Sequence, residues 1–567
     1  MVVETPRFYS PNKGFSVFTP RSIAADSGNS AIATSTGIDI IVSLFVFVTF
    51  LFGLGWLHLV GADEGRHAMI AREMVSSGNF LTPTIEGLPY VDKPVLFHWL
   101  VAVSTSLFGS HAFAVRLPAA LAAVWTVFVA ARWADLYHGR VAARLTAVLL
   151  STSLLVFGIA HSAIIDSLMT ALLATAMWRL GTWFLSPPHD RPSLVPAFAL
   201  LGLGLLAKGP IAVVLPGLVF VAMVCVTRRP QAILEIKPIK GLMITALVAV
   251  PWYFFAWRAS PDYIETFLLH HNIARYTTAG VVGHIEPWWY YPVLFPVGLL
   301  PWVFVAVPAV VNRVRELEPV DLYPLVWAGV VVAFFLPSQA KLITYLLPAV
   351  SPLAVVTAGW LAQRWRQNIA LSRAATRLTS MWVGILSSVI IAASIWGSVV
   401  EPELVTWLPT LLLTLLLALA AMIMAAALWR EGSIDRWLSA VCVLHLALLV
   451  FFVGPLASFY NIEISERPVA EKLVAEVGHH PMLRSYGVST HATAWYSGVV
   501  IPRFRNLDEL DGLIDQGLDA IVVKTKHLAE LDAWLDSGYL EEVWRNKRAN
   551  RSVLVVRDRE SGVRAGR

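Results

Sequence analysis

Residues 40–60 read IIVSLFVFVTFLFGLGWLHLV, and Gly61-Ala62-Asp63-Glu64-Gly65-Arg66-His67 follows at once. A run of that length with no Asp, Glu, Lys or Arg is enough to cross a bilayer, because about twenty residues at 1.5 Å each match a hydrocarbon core of about 30 Å. No small-residue cleavage site follows the run, so it reads as an uncleaved first span. Two carboxylates and an arginine therefore stand where the chain leaves the membrane.

Working outward, the pattern repeats. Apolar runs fall at residues 112–131, 141–160, 165–185, 194–207, 210–227, 239–257, 289–311, 320–337, 342–362, 380–399, 404–428 and 435–458. With the first run they predict a mainly α, polytopic protein of about thirteen spans. Composition agrees: 57% of residues are hydrophobic and 14% charged, and mean hydropathy is +0.66, whereas a soluble domain is about a quarter charged. The net charge of +5 sits in short basic clusters between apolar runs, which excludes a nucleic-acid-binding reading. Cys225 and Cys442 lie inside apolar runs, with neither a disulfide framework nor metal-ligand spacing.

The basic clusters orient the chain. With the polar tail 1–39 (Arg7, Lys13, Arg21) in the cytoplasm, the alternate loops carrying Arg132, Arg140 and Arg144, then Arg228, Arg229, Lys237 and Lys240, then Arg364, Arg366, Arg373 and Arg377 are cytoplasmic too. The other loops hold Asp63, Glu64, Asp92, Asp262, Glu265, Glu286, Glu401 and Glu403 and fall outside. The first of these, 61–111, is long. Ala68, Met69, Ile70, Met74 and Val75 recur at helical spacing, Gly78-Asn79 ends that helix, and Phe97–Phe108 reads as an interfacial helix. A transmembrane region 40–458 is then followed by a soluble region 459–567 on the outer side. Leu518–Val523 and Ser552–Val556 read there as strands, and Arg467–Val477, Leu507–Gln516 and Thr525–Ser537 as helices, giving a small α/β domain.

Distant segments deliver polar groups to the same membrane face: Asp63, Glu64 and Arg66; Asp92 and Lys93; Asp166; Lys208; His271 and Arg275; Lys341 and Tyr345. Taken singly, each has a plain structural reading. Asp63 and Asp166 suit helix N-caps, Lys93 and Lys341 suit snorkelling side chains, and His270-His271 suits a loop surface. Together they suit an enzyme acting on a lipid-linked substrate at the interface. A transporter or flippase of lipid-linked sugars is the alternative, and it predicts ionisable groups near the midplane. An envelope receptor acting through its C-terminal domain is a third reading, and it leaves Asp63, Lys93 and Asp166 unused.

Asp63-Glu64-Gly65-Arg66-His67-Ala68, Leu88-Pro89-Tyr90-Val91-Asp92-Lys93-Pro94, His98-Trp99, Leu206-Ala207-Lys208-Gly209-Pro210, His271-Asn272-Ile273-Ala274-Arg275-Tyr276 and Lys341-Leu342-Ile343-Thr344-Tyr345-Leu346-Leu347-Pro348 together resemble the aminoarabinose transferase and protein O-mannosyltransferase superfamily of polytopic glycosyltransferases. The resemblance covers most of the first 360 residues. It implies a GT-C fold, a polyprenyl-phosphate-sugar donor, and inverting transfer to a lipid A-like lipid, protein or envelope glycan outside the cytoplasm of an inner (plasma) membrane. The donor is a substrate, and no cofactor or metal is implied. Carried over by motif, Asp63 is the catalytic carboxylate and Asp166 a second one. Arg66, Lys93, Arg275 and Tyr345 bind the donor phosphate, with Glu64, Asp92, Lys208, His271 and Lys341 in support. The family usually has Thr-Arg-Tyr where this chain has Gly65-Arg66-His67, and Glu where it has Asp92.

Overall fold

The computed structural model describes residues 29–267, 274, 286–400, 408–478, 482–546 and 550–557. The fold is helical with one terminal sheet. After α1 (Asn29–Leu51) come α2 (Gly61–Ser77), a two-stranded hairpin (β1 Thr84–Ile85, β2 Leu88–Pro89) and α3 (Leu96–Phe108). The bundle continues with α4 (Ala112–His138), α5 (Arg140–Thr152), α6 (Leu154–Ala160), α7 (Ile165–Leu185), α8 (Val195–Ala207), α9 (Ile211–Thr227) and α10 (Pro238–Ala259). Then follow α11 (Tyr290–Gly298), α12 (Val303–Glu316), α13 (Pro319–Phe335), α14 (Leu347–Arg366), α15 (Arg373–Val400), α16 (Leu408–Glu431) and α17 (Ile434–Phe451). A core centred on Trp133, Trp178, Trp302, Tyr323 and Trp327 joins the middle helices.

Among the described residues, six helices are long and apolar enough to cross a bilayer, and eight if each of two bent pairs counts as one span. About thirteen crossings were expected. Helices α8, α9 and α13 occupy expected positions but have 13, 17 and 17 residues, about 20–26 Å at 1.5 Å per residue. Two runs expected to be straight are broken. Helices α5 and α6 meet at 65° and α11 and α12 at 108°. The breaks face each other: Leu154 N donates to Leu300 O (3.2 Å) and Ser153 Oγ to Gly298 O (2.8 Å). Backbone groups released by one bend are satisfied by the other, as an apolar environment requires.

The first run also ends sooner than its hydropathy predicts. Expected over 40–60, α1 stops at Leu51. Gly53 and Gly55 weaken the helix beyond that point, and partners from elsewhere take the freed backbone. Arg116 binds Leu54 O, Leu57 O and His58 O at 3.0, 2.6 and 2.8 Å. Asn461 Oδ1 and the Tyr496 hydroxyl accept from His58 N and Leu59 N at 2.7 Å each.

The C-terminal region holds α18 (Ala457–Glu463), α19 (Arg467–Val477), β3 (Leu483–Tyr486), α20 (His491–Ser497), β4 (Arg503–Phe504), β5 (Ala520–Val523), β6 (Leu540–Asn546) and β7 (Arg551–Val556). The strands form a mixed sheet in the order β4-β3-β5-β7-β6, with β3 parallel to β4 and β5 and with β7 antiparallel to β5 and β6. Side chains alternate across it. Ile521, Val523, Leu554 and Val556 pack with Leu510, Leu528 and Leu531. Ala520, Val522, Val553 and Val555 share a core with Leu59, Met69, Phe97 and Val101. One face of the sheet is therefore buried on the first long loop.

Candidate active site

Helix α2 begins at Gly61, so Asp63 and Glu64 stand in its first turn, where the helix dipole favours acids. Neighbouring positions on a helix point about 100° apart, and the two carboxylates meet opposite environments. The Asp63 side chain is 70% exposed, and its Oδ1 pairs with Arg66 Nη1 at 2.9 Å. Arg66 also lies near Tyr90, whose hydroxyl is held protonated by burial. The Glu64 side chain is 4% exposed. It takes both arms of the Arg116 guanidinium (2.8 and 2.7 Å) and accepts from Val60 N (2.6 Å) and Ala163 N (2.7 Å). Glu64 thus clamps α2, α4, the segment after α1 and the approach to α7. Its lone pairs are committed, and it acts on the site only by holding it.

The rest of the first loop is laid against α2. Glu73 accepts from Thr84 Oγ1 (2.7 Å) and Glu86 N (2.6 Å) and fixes the hairpin. Trp99 Nε1 donates to Phe80 O (2.7 Å), and the Tyr263 hydroxyl donates to Lys93 O (3.0 Å). The Lys93 ammonium donates to Asp92 O (3.1 Å), and together with Arg66 it makes the surroundings of His67 and His98 cationic.

His67 Nδ1 and His98 Nε2 lie 3.0 Å apart in the interior behind Asp63 and Arg66. One ring must donate and the other accept, so the two cannot both be protonated. Burial depresses both, His67 well below its ordinary value and His98 to about 4. An unfolded histidine titrates near pH 6.5. The pair's contribution is therefore complete above that pH and is lost as pH falls towards 4, because the unfolded chain takes up protons first. The apparent melting temperature should drop between pH 7 and pH 5. The drop should be smaller in His98→Gln, which keeps a donor and an acceptor without a titrating ring.

A second group forms around Asp166. That residue opens α7, but the cap position is Ile164 and no side chain caps it, so the N-cap reading of Asp166 does not hold. Asp166 forms an ion pair with Lys208 at the C-terminal end of α8. The Lys208 ammonium also lies 4.6 Å from the centre of the Tyr345 ring, a cation–π contact. The Ala163 amide held by Glu64 lies three residues before Asp166, so the same carboxylate positions both groups. Lys341 does not snorkel. It is 6% exposed, and its ammonium donates to Ser338 O (2.5 Å) and Glu286 O (3.1 Å), so it fastens the segment leading to Tyr345. Arg275 and His271 lie outside the described residues. Among the described residues, no group of three His, Cys, Asp or Glu side chains is placed to hold a metal ion.

Sequence reasoning missed Arg116, Arg72 and His491. A lone arginine inside an apolar run is costly unless paired, so Arg116 called for a buried acid, and Glu64 was available. Arg72 donates to Ala494 O (3.1 Å) and to Trp495 O, with its guanidinium 4.2 Å from the Trp495 ring centre. His491 lies within the electrostatic reach of Asp63 and Arg66, and its Nε2 lies 3.9 Å from Glu86 Oε1. Gly65 permits this docking, since a Cβ there would lie 2.5 Å from Ala492 N and 2.9 Å from His491 C. Both atoms are backbone and cannot swing aside. Gly65→Val should loosen the C-terminal sheet, at about 1–3 kcal/mol as for other overpacked sites. Limited proteolysis that cuts after residue 460 no faster than in wild type would refute this.

Residues 92–255 match the dolichyl-phosphate-mannose-protein mannosyltransferase family. The undecaprenyl phosphate-α-4-amino-4-deoxy-L-arabinose arabinosyl transferase of Erwinia tasmaniensis is 31% identical over 74% of this chain and 77% of its own length. The Proteus mirabilis transferase 1 of that name is 29% identical over 85% and 87%. In fold, the chain is similar to crystal structures of ArnT from Cupriavidus metallidurans. The apo form has a TM-score of 0.75 at 21% identity, covering 92% of this chain and 98% of that one. The form bound to undecaprenyl phosphate has a TM-score of 0.73 at 22% identity, with the same coverage. With a helical membrane bundle, a matching fold along nearly its whole length and a relative 31% identical across three quarters of it, the chain belongs to the undecaprenyl phosphate-α-4-amino-4-deoxy-L-arabinose arabinosyl transferase family of multi-pass membrane glycosyltransferases.

Proposed function

We propose that this chain moves a sugar from a polyprenyl monophosphate to an envelope acceptor, at a site built from Asp63, Arg66 and Lys93 on the outer face of the inner membrane. The observation that carries the reading is the exposed Asp63 carboxylate held at 2.9 Å by Arg66 in the first turn of α2. Its neighbour Glu64 is consumed by the scaffold.

In the proposed step the acceptor oxygen forms a bond to the anomeric carbon from the face opposite the carrier. The bond from that carbon to the phosphate oxygen breaks, and the polyprenyl phosphate leaves with the electron pair. The configuration inverts. Arg66 and Lys93 counter the charge growing on the leaving oxygen. An acceptor hydroxyl gives its proton to Asp63, whereas an acceptor phosphate is already nucleophilic and is oriented by it. Asp166, Lys208 and Tyr345 form a second polar wall. An undecaprenyl phosphate-linked aminoarabinose is the nearest analogy for the donor, given what the Erwinia and Proteus relatives are named for, and a lipid A-like phosphate is the acceptor the family resemblance implies.

The test is release of free polyprenyl phosphate, followed by mass spectrometry. Purified protein in nanodiscs is given polyprenyl-phosphate sugars and an envelope-lipid extract. Lys93→Ala should lower acceptor-dependent release by about 10²–10³-fold, the usual cost of removing one donor to a developing anion. Donor binding without release, across all donors and extracts, would overturn the reading.

A further inference from the structure

A groove runs between α4 and α7 on the outside of the bundle. Trp125 Nε1 donates to Thr175 Oγ1 at 2.8 Å and fixes the level of one helix against the other. From there, Phe128 and Arg132 follow on α4, and Trp178, Arg179 and Thr182 on α7, at the three- and four-residue steps that keep one face of a helix. They enclose a cavity of about 420 Å³. Trp125 and Phe128 face outward at 57% and 38% exposed. Its floor is the buried pair Trp133 and Trp178, with ring centres 4.5 Å apart.

The groove is amphiphilic along its length. Arg132 lies seven residues past Trp125, about 10 Å further along the axis, and twenty past Ala112, about 30 Å. That distance is the thickness of a hydrocarbon core, so Arg132 stands at the membrane face opposite Asp63. Among the described residues, both guanidiniums keep donors to spare. Arg132 pairs with Asp135 at 3.4 Å and its side chain stays 71% exposed, while Arg179 Nε donates to Ser193 O at 2.5 Å. Aromatic walls lead from mid-membrane to two cations at the interface, the charge pattern that suits one lipid with an anionic head.

We propose that this groove binds an anionic diacyl phospholipid of the leaflet opposite the reaction site, its phosphate between Arg132 and Arg179 and an acyl chain along Trp125 and Phe128. The occupant braces α4, which carries Arg116, against α7, which carries Asp166. The site is separate from the one that handles the donor and does not depend on the proposed reaction.

The full chain, purified in mild detergent, is incubated with mixed micelles of phosphatidylglycerol or phosphatidylcholine, and retained lipid is counted by native mass spectrometry. Wild type should retain phosphatidylglycerol at least about tenfold over phosphatidylcholine. Arg132→Gln with Arg179→Gln should lose that preference, and Arg132→Lys, which keeps the charge, should retain it. Arg132→Gln alone changes an exposed side chain, so a reduced preference there supports the site even where the double variant fails to fold. Excess inorganic phosphate should not displace the lipid. Equal retention of both lipids, an unchanged preference in the folded double variant, displacement by free phosphate, or a dimer that falls apart in Trp125→Ala would each overturn the proposal.

Discussion

Arg116→Met is expected to cost about 3–5 kcal/mol, the range measured when one member of a buried ion pair is removed and the other is left uncompensated. The Arg116 side chain is 1% exposed and that of Glu64 4%, so neither end of the broken pair reaches bulk water. The guanidinium spends all three nitrogens on five bonds, two to Glu64 and three to the carbonyls of Leu54, Leu57 and His58. Lysine lacks the planar fork, so Arg116→Lys should recover little. Glu64→Leu combined with Arg116→Met removes the stranded charge but orphans the three carbonyls and the amides of Val60 and Ala163, so the double variant should stay less stable than wild type. The measurement is the temperature at which each variant, in detergent, leaves the monodisperse peak on size exclusion. An Arg116→Met protein that stays monodisperse to the wild-type temperature would show that Glu64 finds another partner or a proton at little cost.

This clamp also shows where reading a sequence reaches its limit. Asp63, Glu64 and Arg66 lie within four residues, and a local motif on one helix turn is legible because its geometry is set by the helix. The end of α2 at Gly78, which takes φ 69°, and the strands β5 and β7 were legible for the same reason. The division of labour between Asp63 and Glu64 was not, because it is decided by an arginine fifty-two residues away. Hydropathy likewise carried the first run through to Val60, but backbone polar groups follow available partners, and Arg116, Asn461 and Tyr496 supply them from three distant segments. The docking of the C-terminal sheet depends on contacts such as Arg72 with Trp495, across more than four hundred residues. Composition predicts a soluble region there. It does not show that Val522 and Val553 share a core with Met69 and Phe97.

Asp63→Asn should separate chemistry from scaffold, since it changes the adjacent acid with the opposite consequence. Its ion pair with Arg66 is an exposed one at i,i+3, and such pairs contribute about 0.2–0.5 kcal/mol to a helix. Asparagine is nearly isosteric and still accepts a hydrogen bond from Arg66, so thermal stability should match wild type within that margin. Turnover should not. A neutral amide cannot take a proton, and with a hydroxyl acceptor the rate of polyprenyl phosphate release should fall by about 10²–10⁴-fold, the usual contribution of a general base. With a phosphate acceptor no proton has to move in the bond-forming step, and the loss should then appear chiefly as a raised KM for the acceptor. Running both acceptor types on one preparation of folded Asp63→Asn therefore reports which role the carboxylate plays. Wild-type kcat and KM with both would remove Asp63 from the reaction and leave Asp166, held by Lys208, as the carboxylate to examine.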